Sequence, residues 1–331
     1  MHAENRKIWI DYAKCFSIFL VVLFHTNPNL DGFIFDFLKL LRMPAFFLIS
    51  GFLFNIEKWN NFYKFIYHRI KRLIVPYFWF SFIFYVLWLI VGRNIAGENV
   101  MSINIFNPIT VFVLGTPKII LAPYWFITCL FCIQTIFYLL RKTIKSDLLL
   151  LCISCSLYFI ILLFDKTNLP WCLDKALLYL PFYASANIFK TQINNINYNN
   201  AILNIASFTI TLILIYINTS INNTYINHTL YIISGLCIIY TYIALCKYIA
   251  HKIKPINITT NELINTICSS YFLSMTNLKV ASNIHIEKIG IIFRKFCCGY
   301  RNFICTVPIF SIVVRNIRVA DNRKNLLRNK C

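Results

Sequence analysis

The chain has 331 residues, of which 59% are apolar and only 13% charged. Soluble domains carry about 25% charged residues, so composition excludes an ordinary soluble enzyme, a disordered chain and a coiled coil. The net charge of +20 comes from 32 Lys and Arg against 12 Asp and Glu. These cations lie in short segments between apolar runs and form no separate basic domain, which excludes a nucleic-acid-binding module.

The apolar stretches are continuous rather than alternating, so the expected fold class is all-α: a polytopic transmembrane helix bundle of about eight to ten spans. In chain order the spans read as 8–26, 33–55, 73–92, 123–140, 148–164, 171–189, 201–217 and 229–250, with two weaker ones at 263–278 and 301–314. Loop 56–72 carries Lys58, Lys64, Arg69, Lys71 and Arg72, and loop 141–147 carries Arg141, Lys142 and Lys145. Lys247, Lys252 and Lys254 follow around the end of the eighth span, whereas the alternate loops hold only Arg93, Lys118 and Lys166. Every second loop is basic, which predicts a multi-pass membrane protein with a cytoplasmic N-terminus. The first apolar run keeps Asp11 and Lys14, unlike a cleavable signal. Loop 93–122 is the longest on the opposite side and is a candidate cover for an acceptor site.

The first span carries the chemistry. At about 100° per residue, Asp11, Lys14 and His25 share one stripe. Lys14 and His25 are nearly eclipsed, about 16 Å apart along the axis. Ionisable residues within a span normally face a bundle interior or a wet cavity. Two readings stand: Lys14 snorkels and His25 caps the far end, or a polar track leads to a titratable imidazole. At this separation Asp11 cannot orient His25 directly, so the helix holds no Ser-His-Asp triad.

Other segments carry similar pairs of readings. Ser50-Gly51 reads as a small-residue helix contact. Arg42, one residue before Met43-Pro44, either snorkels or contacts an acidic group or substrate, and Lys39 lies one turn earlier. His68, Arg69, Lys71 and Arg72 either set topology or bind clustered phosphates, for which the Arg69–Arg72 pair at i, i+3 is the first choice. Trp125, between Tyr124 and Phe126, is either an interfacial anchor or a stacking platform for a sugar ring. Cys129-x-x-Cys132 and Cys152-x-x-Cys155 have zinc-ribbon spacing. They lie inside apolar spans, where a thiolate site would bury charge without supporting partners, so no metal site is expected.

The pattern R-x(4)-D-x(2)-K-x(10)-H from Arg6 to His25, followed by MPAFFLISGFLF from Met43 to Phe54, resembles the acyltransferase 3 family of membrane acyltransferases. The similarity is strongest to fucose or polysaccharide O-acetyltransferases. HRIKRLIVPYFWFS (His68–Ser81) and APYWFITCLF (Ala122–Phe131) also fit. The resemblance covers about residues 5–250 and implies transfer of an acyl group from acyl-CoA (acetyl-CoA) to a hydroxyl of a sugar or polysaccharide acceptor. It implies no permanently bound cofactor and a location in the cell (inner) membrane. His25 matches the family's histidine, while Lys14 stands where arginine is frequent. Neutral His25 can take the hydroxyl proton, with Lys14 and Asp11 as charged neighbours. Arg69, Arg72, Ser50 and Gly51 are the expected donor-binding residues, and Arg42 and Trp125 the expected acceptor-binding ones. The alternative reading of Ser50-Gly51 that the resemblance implies is a gap through which an acyl chain or pantetheine arm passes. Residues 1–262 read as the acyltransferase 3-like transmembrane domain. Residues 263–331 read as a divergent basic C-terminal segment with one or two weak spans, whose INTICSSYFLSM lacks the family's Gly and His. The rivals are a polysaccharide transporter or flippase without covalent chemistry, and an inactive relic of the family.

Overall fold

The computed structural model describes residues 7–26, 32–87, 89, 104–115, 125–164, 169–221 and 224–252. All belong to the first of two units, Met1–Pro255, and the two weaker spans lie outside the described residues. The helices are α1 (Ile8–Thr26), α2 (Gly32–Leu53), α3 (Phe62–Arg69), α4 (Val75–Leu87), α5 (Asn107–Leu114) and α6 (Trp125–Thr143). They continue with α7 (Asp147–Leu163), α8 (Leu173–Ile188), α9 (Lys190–Asn195), α10 (Ala201–Ser220) and α11 (Thr224–Lys252). No strand occurs among the described residues, as expected where backbone polar groups must be paired inside lipid.

The fold is an α-helical membrane bundle. Helices α1, α2, α4, α6, α7, α8, α10 and α11 fall, in order, on the eight expected spans. Within the described residues, Trp125–Thr143, Ala201–Asn218 and Tyr225–Lys252 are long and apolar enough to cross a membrane by those criteria alone. Helices α1 and α2 interrupt their apolar runs with Asp11 and Lys14, and with Asp36, Lys39 and Arg42.

Polar side chains set several helix starts. Asn61 accepts from the Lys64 amide (2.9 Å), Ser146 from the Leu149 amide (3.4 Å) and Asn200 from the Leu203 amide (3.2 Å), each filling an orphan donor of a first turn.

Helix α2 is the hub. It packs against α1, α8, α10 and α11. One of its faces enters a core with Trp9, Tyr158, Phe182, Ile239 and Tyr242. The other enters a second core with Phe65, Ile133, Phe137, Tyr138 and Tyr183. From Leu40 to Phe52 most of α2 is buried, which places this part of the helix at the centre of the bundle.

Two features depart from a simple loop reading. The 93–122 loop contains α5, held to α4 by the Tyr77 hydroxyl donating to the Phe112 carbonyl (2.8 Å). Its end is pinned by the Cys172 thiol donating to the Gly115 carbonyl (3.0 Å), next to the left-handed pair Trp171 and Cys172 (φ 60° and 53°). Non-glycine residues there are strained. Between α3 and α4, Ile70–Ile74 winds as a π-helical turn.

Candidate active site

Helix α1 packs against α2 and α11. Ala13 and Ser17 are buried. The Ser17 and Tyr242 hydroxyls are hydrogen-bonded at 3.0 Å, and Tyr242 also donates to the Ala13 carbonyl. Asp11 and Lys14 are half-buried on the same helix. Val21 packs against the core that holds Met43 and Phe47, and His25 follows one turn later by register. The backbone of His25 forms the last turn of α1; its side chain lies outside the described residues.

At that end of the bundle, tyrosines from three helices gather around α2. Arg42 interacts electrostatically with Tyr179 of α8 and Tyr231 of α11, whose phenols are hydrogen-bonded to each other. Tyr179 stacks on Phe47 (centroids 4.7 Å apart) and on Trp125 (6.3 Å). The two expected acceptor residues, Arg42 and Trp125, therefore meet at one side chain. Lys175 places its ammonium 4.5 Å from the Trp125 ring centre, and Lys39 places its own 5.7 Å from that of Tyr231, both within cation–π range. Tyr158 of α7 hydrogen-bonds His228 Nδ1 at 2.8 Å. The Tyr158, Tyr179, Tyr231 and His228 group was not found from sequence. His228 carried a signal, an imidazole at the start of a span. The tyrosines carried none, because each sits in an apolar run.

The opposite end holds the expected donor residues. Ser50 donates to the Phe46 carbonyl within its own helix (3.1 Å). Gly51 faces the α8 backbone: a Cβ there would stand 2.1 Å from the Tyr183 carbonyl oxygen. Asn187 donates from Nδ2 to the Gly51 and Phe54 carbonyls (3.0 and 2.9 Å), satisfying the end of α2. The Ser50-Gly51 step thus lies at a close helix crossing.

Arg69 and Arg72 are placed differently. The Arg69 guanidinium lies 5.3, 5.4 and 5.9 Å from the ring centres of Phe65, Trp59 and Phe54. Burial and the nearby Arg72 charge lower its pKa, while Tyr183 opposes them. Arg72, within the π-helical turn, is exposed. A wider turn no longer stacks residues three apart. His68 is held below the ordinary histidine value by burial and then by Arg72, Arg69 and Lys71.

A lysine group at this end was also not anticipated. The ammonium groups of Lys7 and Lys190 lie 5.4 and 5.7 Å from the ring centre of Phe52, and Lys7 donates to Asn194 Oδ1 (2.7 Å). Burial, and then Lys7 and Lys58, lower the pKa of Lys190, with Glu57 acting in the other direction. Lys247 donates to the Ile193, Asn194 and Ile196 carbonyls (2.8, 2.8 and 3.0 Å), which ties α11 to α9.

An acyltransferase-domain family model, that of the acyltransferase 3 family, matches residues 7–277. The chain belongs to this family. The match takes in every helix described above and begins at Lys7. No curated protein and no solved structure matches the chain significantly. As a membrane acyltransferase, the protein needs a place for an acyl donor and a place for an acceptor. Its bundle offers two polar regions, one at each end of α2.

Proposed function

We propose that this acyltransferase moves an acetyl or other acyl group from acyl-CoA to a hydroxyl of a surface polysaccharide or its lipid-linked precursor, as a multi-pass protein of the inner membrane. The observation that carries the reading is the meeting of Arg42 and Trp125 at Tyr179. Flat aromatic faces and a cation suit a ring bearing hydroxyls.

In this reading the donor enters from the cytoplasm. Arg72, exposed at this end of the bundle, and the lysines around Phe52 attract its phosphates. Neutral His25 takes the proton of the acceptor hydroxyl as that oxygen attacks the thioester carbonyl. The C–S bond then breaks, and the CoA thiolate receives the proton from the imidazolium. Lys14 supplies positive charge along the same stripe, and Asp11 is its carboxylate neighbour.

Two measurements test the reading. Mass spectrometry of surface glycans from cells with and without the gene should show an acyl group lost with the gene. Purified protein should consume acetyl-CoA in the presence of acceptor. Unchanged glycans and no thioester consumption would instead favour a transporter.

A further inference from the structure

Among the described residues, four buried polar atoms in or beside the second core have no hydrogen-bond partner: Arg69 Nε, Tyr138 OH, Tyr183 OH and Gln134 Oε1. The side chains that carry the last three are almost wholly enclosed, at 1%, 0% and 6% relative exposure. They are neighbours. Tyr138 stacks on Phe65 (4.4 Å), whose ring also faces the Arg69 guanidinium (5.3 Å). Tyr183 packs on Phe54 and Phe137 (6.0 and 5.1 Å) and interacts electrostatically with Arg69. Gln134 precedes Tyr138 by one turn on the same face of α6.

An unpaired buried polar atom costs about 1–3 kcal/mol, and native interiors hold few of them. Four around one group of rings mark a place where a polar guest completes the bonding. The position is informative. Tyr183 lies one turn from Tyr179, so the set runs from Arg69 toward the Arg42, Tyr179 and Trp125 group. The bonding capacity is also informative. Arg69 Nε only donates, Gln134 Oε1 only accepts, and the two phenols do either. That set matches a flexible chain carrying amide groups, each with one N–H and one C=O.

We propose that Arg69, Tyr138, Tyr183 and Gln134 line the passage of the donor's pantetheine arm and hydrogen-bond its two amides. This rests on the donor assigned above and adds the residues that hold the arm. The step is binding only, with no bond made or broken.

The test uses the full chain in lipid nanodiscs, with two probes. CoA carries the arm, and adenosine 3′,5′-bisphosphate does not. Tyr138→Phe and Tyr183→Phe should each weaken CoA binding about 5- to 10-fold and leave adenosine 3′,5′-bisphosphate binding unchanged. Without ligand, the same variants should melt at or above the wild-type temperature, because each removes an orphaned hydroxyl. Equal CoA affinity in wild type and both variants would overturn the proposal. So would a lowered melting temperature without ligand, which assigns the hydroxyls to ordered water. If the wild-type protein binds no CoA at all, the donor assignment falls as well, an outcome distinct from variants that bind like wild type.

Discussion

The Gly51 Cα faces the Tyr183 carbonyl oxygen so closely that a Cβ would sit 2.1 Å from it. The neighbour is backbone and cannot rotate away, so a methyl group must push α2 from α8. Forced overpacking costs about 1–3 kcal/mol. Gly51→Ala should therefore lower the melting temperature in detergent and the amount of folded protein in the membrane. A variant that melts like wild type would show that the crossing is looser than described.

Arg69 and Arg72 should separate in thermal stability, while loss of either weakens acyl-CoA binding. Arg69 packs among Phe54, Trp59 and Phe65, and cation–π contacts are worth about 0.5–2 kcal/mol. Arg69→Ala should lower thermal stability. Arg72 is exposed, and surface substitutions usually change stability by within about 0.5 kcal/mol. Arg72→Ala should leave melting unchanged and raise the apparent KM for acyl-CoA, the signature of lost ground-state binding.

Arg42 and Trp125 share a neighbour, Tyr179. Arg42→Ala and Trp125→Ala should each raise the acceptor KM about tenfold, with donor KM unchanged. Residues that share a partner are not independent. The double variant should lose less than the product of the single effects. A fully multiplicative loss would place the two side chains in separate sites.

The lysines around Phe52 predict a pH dependence. Lys190 is cationic below its pKa and neutral above it. Its pKa is lowered by burial and by Lys7 and Lys58. Its attraction for donor phosphates should therefore fade at a lower pH than an ordinary lysine's. Lys7→Gln removes one cause of the lowering, so the midpoint of the remaining decline in CoA affinity should move to higher pH. Isothermal titration of CoA across neutral to alkaline pH would measure it. A midpoint unmoved by Lys7→Gln would separate the two residues electrostatically.

The span pattern was legible because hydropathy acts on continuous runs: the eight helices fall where the apolar stretches lie. Arg42 and Trp125 were legible as polar or aromatic residues at span positions with a cost to explain. Their meeting at Tyr179 was not, because it depends on how α2, α6 and α8 pack. The Arg69–Arg72 face assumed an α-helical register, and the π-helical turn at Ile70–Ile74 changes it. Helix α5 was hidden in a loop marked by Gly and Pro. Its eight residues, from Asn107 to Leu114, are too few to cross a membrane. The phenols of Tyr138 and Tyr183, without hydrogen-bond partners among the described residues, have no sequence signature, since only the packed core leaves them so.

In the proposed mechanism one imidazole near the end of α1, that of His25, removes the acceptor's proton. The most direct measurement is acyl transfer from acyl-CoA by purified His25→Ala protein, compared with wild type at matched folded amounts. Transfer to the sugar should be abolished while CoA still binds and the melting temperature is preserved. Acylated product formed at the wild-type rate would remove His25 from the reaction and contradict the mechanism.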